Sequence, residues 1–241
     1  FTPTPEYEML RSLVGSEMCI RDRPYTHSGV MASAMAMDKE RTKSIYRSLR
    51  LPCAKSVVVP VTRLTSEEFL PRPYVIKPIN EGSSIGIHFV HQATRNLLPD
   101  YSYAENVMLE EFIPGRELTV AVLNDQPLTV TEIITDNWYD YNAKYSENGS
   151  NHILPADIPD EVFKACKKYA LLAHKGLGCR GLTRTDFRWD ESKGVLGLKL
   201  LETNTQPGMT PTSLAPEQAR FCGISFKELC KKIIEDSSCN R

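Results

Sequence analysis

Three strand-like apolar runs, at 107–112, 118–123 and 128–134, follow one another with five and then four residues between them. Runs of this length, rich in Val, Ile, Leu and Thr, read as strands. A four-residue link closes a hairpin but cannot carry the crossover that parallel neighbours need. Consecutive strands therefore pair antiparallel, and helices must pack on the resulting sheets. That combination is the α+β class. Further strands are expected at 57–61, 74–77, 87–90, 181–188 and 198–202. Ser28 is expected to cap a short helix ending at Met37. Asp38 caps a second helix, with Ile45, Tyr46 and Leu49 on one face, that stops before Pro52. A longer helix over 160–175 turns Val162, Phe163, Cys166, Tyr169, Ala170 and Ala173 inward. The last helix starts at the capping box Ser225-Phe-Lys-Glu228, with Ile224 and Leu229 as a hydrophobic staple.

Composition narrows the function. Lys and Arg number 29 against 30 Asp and Glu, a formal net charge of −1, which lacks the basic excess of a non-specific nucleic-acid binder. No apolar run approaches the ~18 residues of a membrane span. The seven cysteines are odd in number and include no Cys-x-x-Cys, so neither a disulfide scaffold nor a zinc ribbon is expected, and most read as reduced thiols of a cytoplasmic protein. The five histidines show no metal-ligand spacing.

Residues 1–23 show no clean period. The stretch 12–23 resembles translated sequencing-adaptor sequence, so 1–23 is expected to be a non-native or unstructured segment. A divergent N-terminal tail is the alternative. Residues 136–155 are polar and aromatic with no buried period, and are expected to form a long surface loop of the lid type.

Several clusters carry candidate chemistry. Arg184-Thr-Asp186 and Glu202-Thr-Asn204 each put two polar groups on one strand face. With Arg184 about opposite Glu202, one guanidinium, two carboxylates and an amide converge. Such oxygen ligands suit Mg²⁺ shared with phosphates, although a solvated face of ordinary ion pairs fits the same pattern. Lys77 ends an apolar strand beside the Gly/Ser loop that contains Ser83 and Ser84, a place for phosphates or simply a hairpin turn. Lys39, just inside a helix start, is a second candidate phosphate cation or an exposed helix residue. Glu110, Glu111 and Phe112 end a strand at a hinge whose backbone could read a purine edge. Glu117 could accept ribose hydroxyls, and solvent-facing alternation is the plainer reading of these acids. The loop segment with Tyr139, Tyr141, Lys144 and Tyr145 suits either a lid or a structural loop. Ser213 begins a short helix, where it could hold a carboxylate or serve as a cap.

The order of these motifs is more specific than any one of them. Met37-Asp-Lys39, Ile76-Lys-Pro78, Glu81-Gly-Ser-Ser84, Pro114-Gly-Arg-Glu117, Tyr139-Asp-Tyr141, Ala143-Lys-Tyr145, Arg184-Thr-Asp186 and Glu202-Thr-Asn204-Thr-Gln-Pro-Gly-Met209 resemble the D-alanine–D-alanine ligases, a family of ATP-grasp enzymes, from about residue 24 to 241. The resemblance implies an ATP-grasp fold, with a central subdomain at 24–113 and a C-terminal subdomain at 114–241 that carries the lid loop. It implies ATP and two Mg²⁺ ions, or Mn²⁺ in their place, D-alanine as substrate, and a homodimer. By this resemblance Lys39 and Lys77 hold the ATP phosphates. Glu110, Glu111, Phe112 and Glu117 hold adenine and ribose. Asp186, Glu202 and Asn204 ligate the metals, and Arg184 stabilises the tetrahedral oxyanion. Lys144 closes onto the transferring phosphoryl group. Ser83 and Ser84 line the pocket, and Tyr145 anchors the lid near Ser84. Gly208, Ser213 and Leu214 bind the second substrate. Tyr145 resembles the D-alanine-adding members rather than the depsipeptide formers.

One departure stands out. The family begins with an N-terminal α/β domain that supplies a carboxylate for the first substrate's ammonium, and nothing before Pro24 matches it. Glu6, Glu8 and Glu17 lie outside its motif. The resemblance therefore implies a fragment that binds ATP weakly, forms dipeptide poorly and exposes apolar surface. Two alternatives are another ATP-grasp carboxylate–amine ligase and a non-catalytic nucleotide-binding remnant.

Overall fold

The computed structural model describes residues 24–64, 68–82, 86–92, 101, 103–134, 151–210 and 212–239. Helix α1 (Val30–Met37) leads directly into α2 (Lys39–Ser48). Asp38 makes the break, accepting hydrogen bonds from the Glu40 and Arg41 amides as the N-cap of α2. The cap of α1 differs from expectation. Gly29 holds that position, and the Ser28 hydroxyl instead bridges to the Arg180 backbone, accepting from its N–H at 3.1 Å and donating to its C=O at 3.2 Å.

Four strands form a first antiparallel sheet: β1 (Ser56–Pro60), β2 (Tyr74–Pro78), β3 (His88–Val90) and β4 (Asn106–Glu111), in spatial order β1-β4-β2-β3. Val59, Tyr74, Ile76, Val90, Val107 and Leu109 bury one side of it. A second antiparallel sheet holds β5 (Arg116–Leu123), β6 (Gln126–Ile134), β7 (Asn151–Ile153), β8 (Leu182–Trp189) and β9 (Leu198–Asn204), ordered β7-β6-β5-β8-β9. The β5–β6 hairpin turns at Asn124 and Asp125, both at positive φ, a conformation that short polar side chains tolerate. Strand β7 corrects one expectation. Part of the segment read as loop pairs with β6, Glu132 to Ile153 and Ile134 to Asn151, while 135–150 lies outside the described residues.

Helix α3 (Asp160–Gly176) lays Val162, Cys166, Ala170 and Ala173 on one face of the second sheet, in a core shared with Tyr46 of α2. Helices α4 (Leu214–Phe221) and α5 (Phe226–Glu235) cover the other face through Ala215, Ala219 and Leu229. Ser225 caps α5 by accepting from the Glu228 amide, as its sequence requires. Between the sheets, β4 passes into β5 through Pro114-Gly115. Gly115 sits at φ +93°, and a Cβ there would lie 2.2 Å from the Trp189 carbonyl oxygen, so only glycine fits this connection. Among the described residues, no helix is long and apolar enough to cross a membrane.

Candidate active site

Alternation on β8 and β9 sends Arg184, Asp186, Glu202 and Asn204 to one face and Thr185 and Thr203 to the other. Arg184 pairs with Asn204 and Asp186 with Glu202. The expected register, with Arg184 opposite Glu202, is thus off by two residues. A shift of two preserves the face, so the same four groups still converge. Asp186 is the hub. Its Oδ1 accepts from Arg184 Nε at 2.8 Å and Thr119 Oγ1 at 2.6 Å, and its Oδ2 from Arg184 Nη2 at 2.7 Å and Asn204 Nδ2 at 3.1 Å. On the opposite face Thr203 Oγ1 lies 3.0 Å from Thr185 Oγ1 and 2.7 Å from the buried Tyr46 hydroxyl. Burial pushes the Tyr46 phenol far up, which keeps it a neutral hydrogen-bonding group. This chain of hydroxyls locks α2 to the strands that carry the acidic groups.

A bulge shapes the cleft further. Asp186 pairs with Glu202, but Phe187 pairs with Leu200, which leaves Leu201 as the extra residue of β9. Plain alternation would send Leu200 to the site face and Leu201 to the core. Instead Leu200 is fully buried and Leu201 lines the cleft.

From the first sheet come the cations. Lys77 on β2 donates to Glu110 Oε1 of β4 at 2.5 Å, and Lys43 of α2 pairs with the other oxygen of the same carboxylate. Burial alone would raise the Glu110 pKa, but the two ammonium groups outweigh it and hold the carboxyl below its usual range. Glu110, expected as a nucleotide contact, lines the cleft and is also the shared counter-ion of two lysines. Lys39 reaches the Glu81 carbonyl, and its backbone N–H donates to Ile79 O at 3.1 Å, tying the start of α2 to the loop after β2. Burial lowers the Lys39 pKa, while the Glu202 carboxylate pulls the other way.

Lys39, Lys77, Glu110, Asp186 and Glu202 line one open cleft between the two sheets. Lys39, Lys77, Glu81 and Gly82 line one side, and Asp186 and Glu202 the other. Val75, Ile87, Phe112 and Leu201 supply an apolar slot beside the Glu111–Ile113 hinge, with Glu117 and Arg188 at its edge. Arg188 Nη1 lies 3.6 Å from Glu117 Oε2, and its Nε donates to Ile113 O at 3.2 Å. Sequence reasoning missed Val75, Ile87, Leu201, Arg188 and Lys43. Arg188 had a signal, because it shares the strand parity of Arg184 and Asp186. Lys43 had one too, one helical turn from Lys39.

Arg184 and Asn204 join the cluster through Asp186 rather than as cleft walls. The turn holding Gly208, Ser213 and Leu214 stands apart from the cleft lining. Ser213 occupies the N-cap of α4, but its Oγ faces back to Thr210, 3.1 Å from the backbone N and 2.7 Å from Oγ1. Gly208 packs on it, since a Cβ there would approach Ser213 Oγ to 2.8 Å. The Leu214 side chain is buried, which leaves its main chain as the part that can meet a ligand. Ser83, Ser84, Lys144 and Tyr145 lie outside the described residues.

Two carboxylates and an amide on adjacent strands are hard oxygen donors. They fit a divalent cation that completes its shell with phosphate oxygens and water. With no histidine or cysteine among them, they suit zinc less well than a hard cation. Among the described residues no cluster of three or more His, Cys, Asp or Glu residues forms a self-sufficient metal cage.

The family model described as "D-ala D-ala ligase C-terminus" matches residues 60–235. D-alanine–D-alanine ligase from Ruegeria pomeroyi is 53% identical over 248 residues, covering 99% of this chain and 80% of the relative. Among solved structures, D-alanine–D-alanine ligase from Bacillus anthracis superposes with a TM-score of 0.75 at 26% identity, covering 92% of this chain and 74% of that one. The same enzyme complexed with ATP superposes with a TM-score of 0.70 at 23% identity over 96% of this chain and 73% of that one.

Proposed function

The chain belongs to the D-alanine–D-alanine ligase family, and from that premise we propose that it joins two D-alanines using ATP, for peptidoglycan precursor synthesis. The carrying observation is the cleft that sets Lys39 and Lys77 across from Asp186 and Glu202 beside an apolar slot. Adenine fits between Phe112, Val75, Ile87 and Leu201, with its edge read by the hinge backbone. Glu117 accepts from the ribose hydroxyls. Lys39 and Lys77 hold the phosphates. Asp186, Glu202 and Asn204 would hold Mg²⁺ or Mn²⁺, which when bound neutralises phosphate charge during transfer.

In this reading the γ-phosphoryl group passes to the carboxylate of the first D-alanine, giving an acyl phosphate and ADP. The amine of the second D-alanine attacks the acyl carbon. The tetrahedral intermediate then expels inorganic phosphate and leaves the dipeptide. Arg184 is already oriented by two hydrogen bonds to Asp186, so its guanidinium stands ready to stabilise the oxyanion. Gly208, Ser213 and Leu214 are the proposed carboxylate site for the second substrate. By the family motif, Ser83 and Ser84 would line the pocket, Lys144 would close onto the transferring phosphoryl group and Tyr145 would anchor the lid. The work of the protein is positioning and electrostatics.

The test is phosphate release by the purified protein, supplied with ATP and a panel of D-amino and D-hydroxy acids. D-Alanine is expected to support release stoichiometric with D-alanyl-D-alanine. Release that needs a different acid would place the chain among other carboxylate–amine ligases. Nucleotide binding without any turnover would make it a non-catalytic remnant.

A further inference from the structure

Lys43 lines no part of the cleft, yet its side chain is only 1% exposed and carries an ammonium group. Its partners are the Ala54 carbonyl oxygen, 3.2 Å away, and the Glu110 carboxylate. Burying an ammonium ion is expensive unless it is paired, and an apolar side chain would fill the same space without that penalty. The Glu110 side chain, 3% exposed, is held between Lys43 on its inner side and Lys77 on its cleft side. Lys77 is the only one of the two lysines that reaches the cleft lining.

Charge bookkeeping gives this arrangement a purpose. Glu110 alone would neutralise Lys77 and offer the cleft a pair of zero net charge. With Lys43 on its far side the three groups sum to one positive charge. We propose that Lys43 is a positioning residue that saturates Glu110 from the interior, so that Lys77 presents an uncancelled positive charge to the nucleotide phosphates. This inference rests on the ATP reading above.

Equilibrium binding of ATP and of adenosine to the whole chain tests it, because adenosine uses the hinge and slot but carries no phosphate. In K43M, ATP is expected to bind on the order of tenfold more weakly, with adenosine within about twofold of wild type. In K43M/E110Q the charge sum returns to one, and ATP affinity is expected to recover to within about threefold of wild type. Should K43M not fold, K43Q carries the test, with the same fall in ATP affinity and adenosine within about twofold of wild type. Unchanged ATP affinity in K43M or K43Q, parallel loss of ATP and adenosine, or no recovery in the double variant each overturns the proposal. A wild-type chain that binds no ATP overturns the nucleotide reading itself, a result distinct from all of these.

Discussion

Asp186 collects hydrogen bonds from Arg184, Thr119 and Asn204 on a face it shares with Glu202. Replacing it with Asn keeps the shape but removes the charge that orients Arg184 and would hold the cation. D186N is expected to lose ATP-dependent phosphate release by at least about a hundredfold, with its far-UV circular dichroism unchanged. Retained turnover would count against the metal assignment. Lys39, Lys77, Asp186 and Glu202 were legible in the sequence because each sits at a fixed place in a short motif. The double ion pair of Glu110 was not, because it depends on Lys43, which lies 67 positions away on a different element. Leu201 was hidden by the bulge, since strict alternation assigns it to the wrong face.

At the scale of elements, helix α4 is fastened to β5 by one side chain. Gln218 is fully buried; its Oε1 accepts from the Ala121 amide at 2.8 Å and its Nε2 donates to the Thr119 carbonyl at 3.1 Å. The β5–β6 register shifts between Val120 and Val122, so these backbone groups sit where the ladder is interrupted. Q218A leaves two buried backbone groups without partners and is expected to lower stability by about 2–4 kcal/mol, readable as a drop in urea midpoint. An unchanged midpoint would show that water takes over both bonds. Strand positions and the helix caps at Asp38 and Ser225 followed from local pattern. The β8–β9 register and strand β7 did not, because pairing partners are chosen by contacts distant in sequence. Ser28 lost its expected capping role to a contact with Arg180, 152 positions away, for the same reason.

Across the whole molecule, His174 and Glu110 are two buried groups that contribute to the response to acid. His174 on α3 has Nδ1 2.7 Å from Thr183 Oγ1 and Nε2 3.3 Å from Asp125 Oδ1. Burial draws its pKa below the ordinary 6.5, aided by Lys175 and opposed by Asp125. The unfolded chain therefore takes up this proton first, so the contribution of His174 is complete above pH 6.5 and is lost as pH falls through the folded value. Glu110, held below 4.5 by its two lysines, contributes fully above 4.5 and loses that contribution on further acidification. The thermal midpoint is expected to fall with acid in two stages, and H174Q to shrink the first. A midpoint that rises below pH 6.5 would reverse the sign of this account.

The α+β class and the antiparallel order were legible from link lengths alone. How the two sheets face one another was not, because that depends on the Gly115 connection and on the hydroxyl chain from Tyr46 to Thr185. The most direct test is a crystal structure of the chain with a non-hydrolysable ATP analogue and Mg²⁺. It should show the triphosphate between the Lys39 and Lys77 ammonium groups and the Asp186–Glu202 pair, with adenine against Phe112 and Leu201. A triphosphate bound anywhere else, or carboxylates turned away from it, would contradict the assignment.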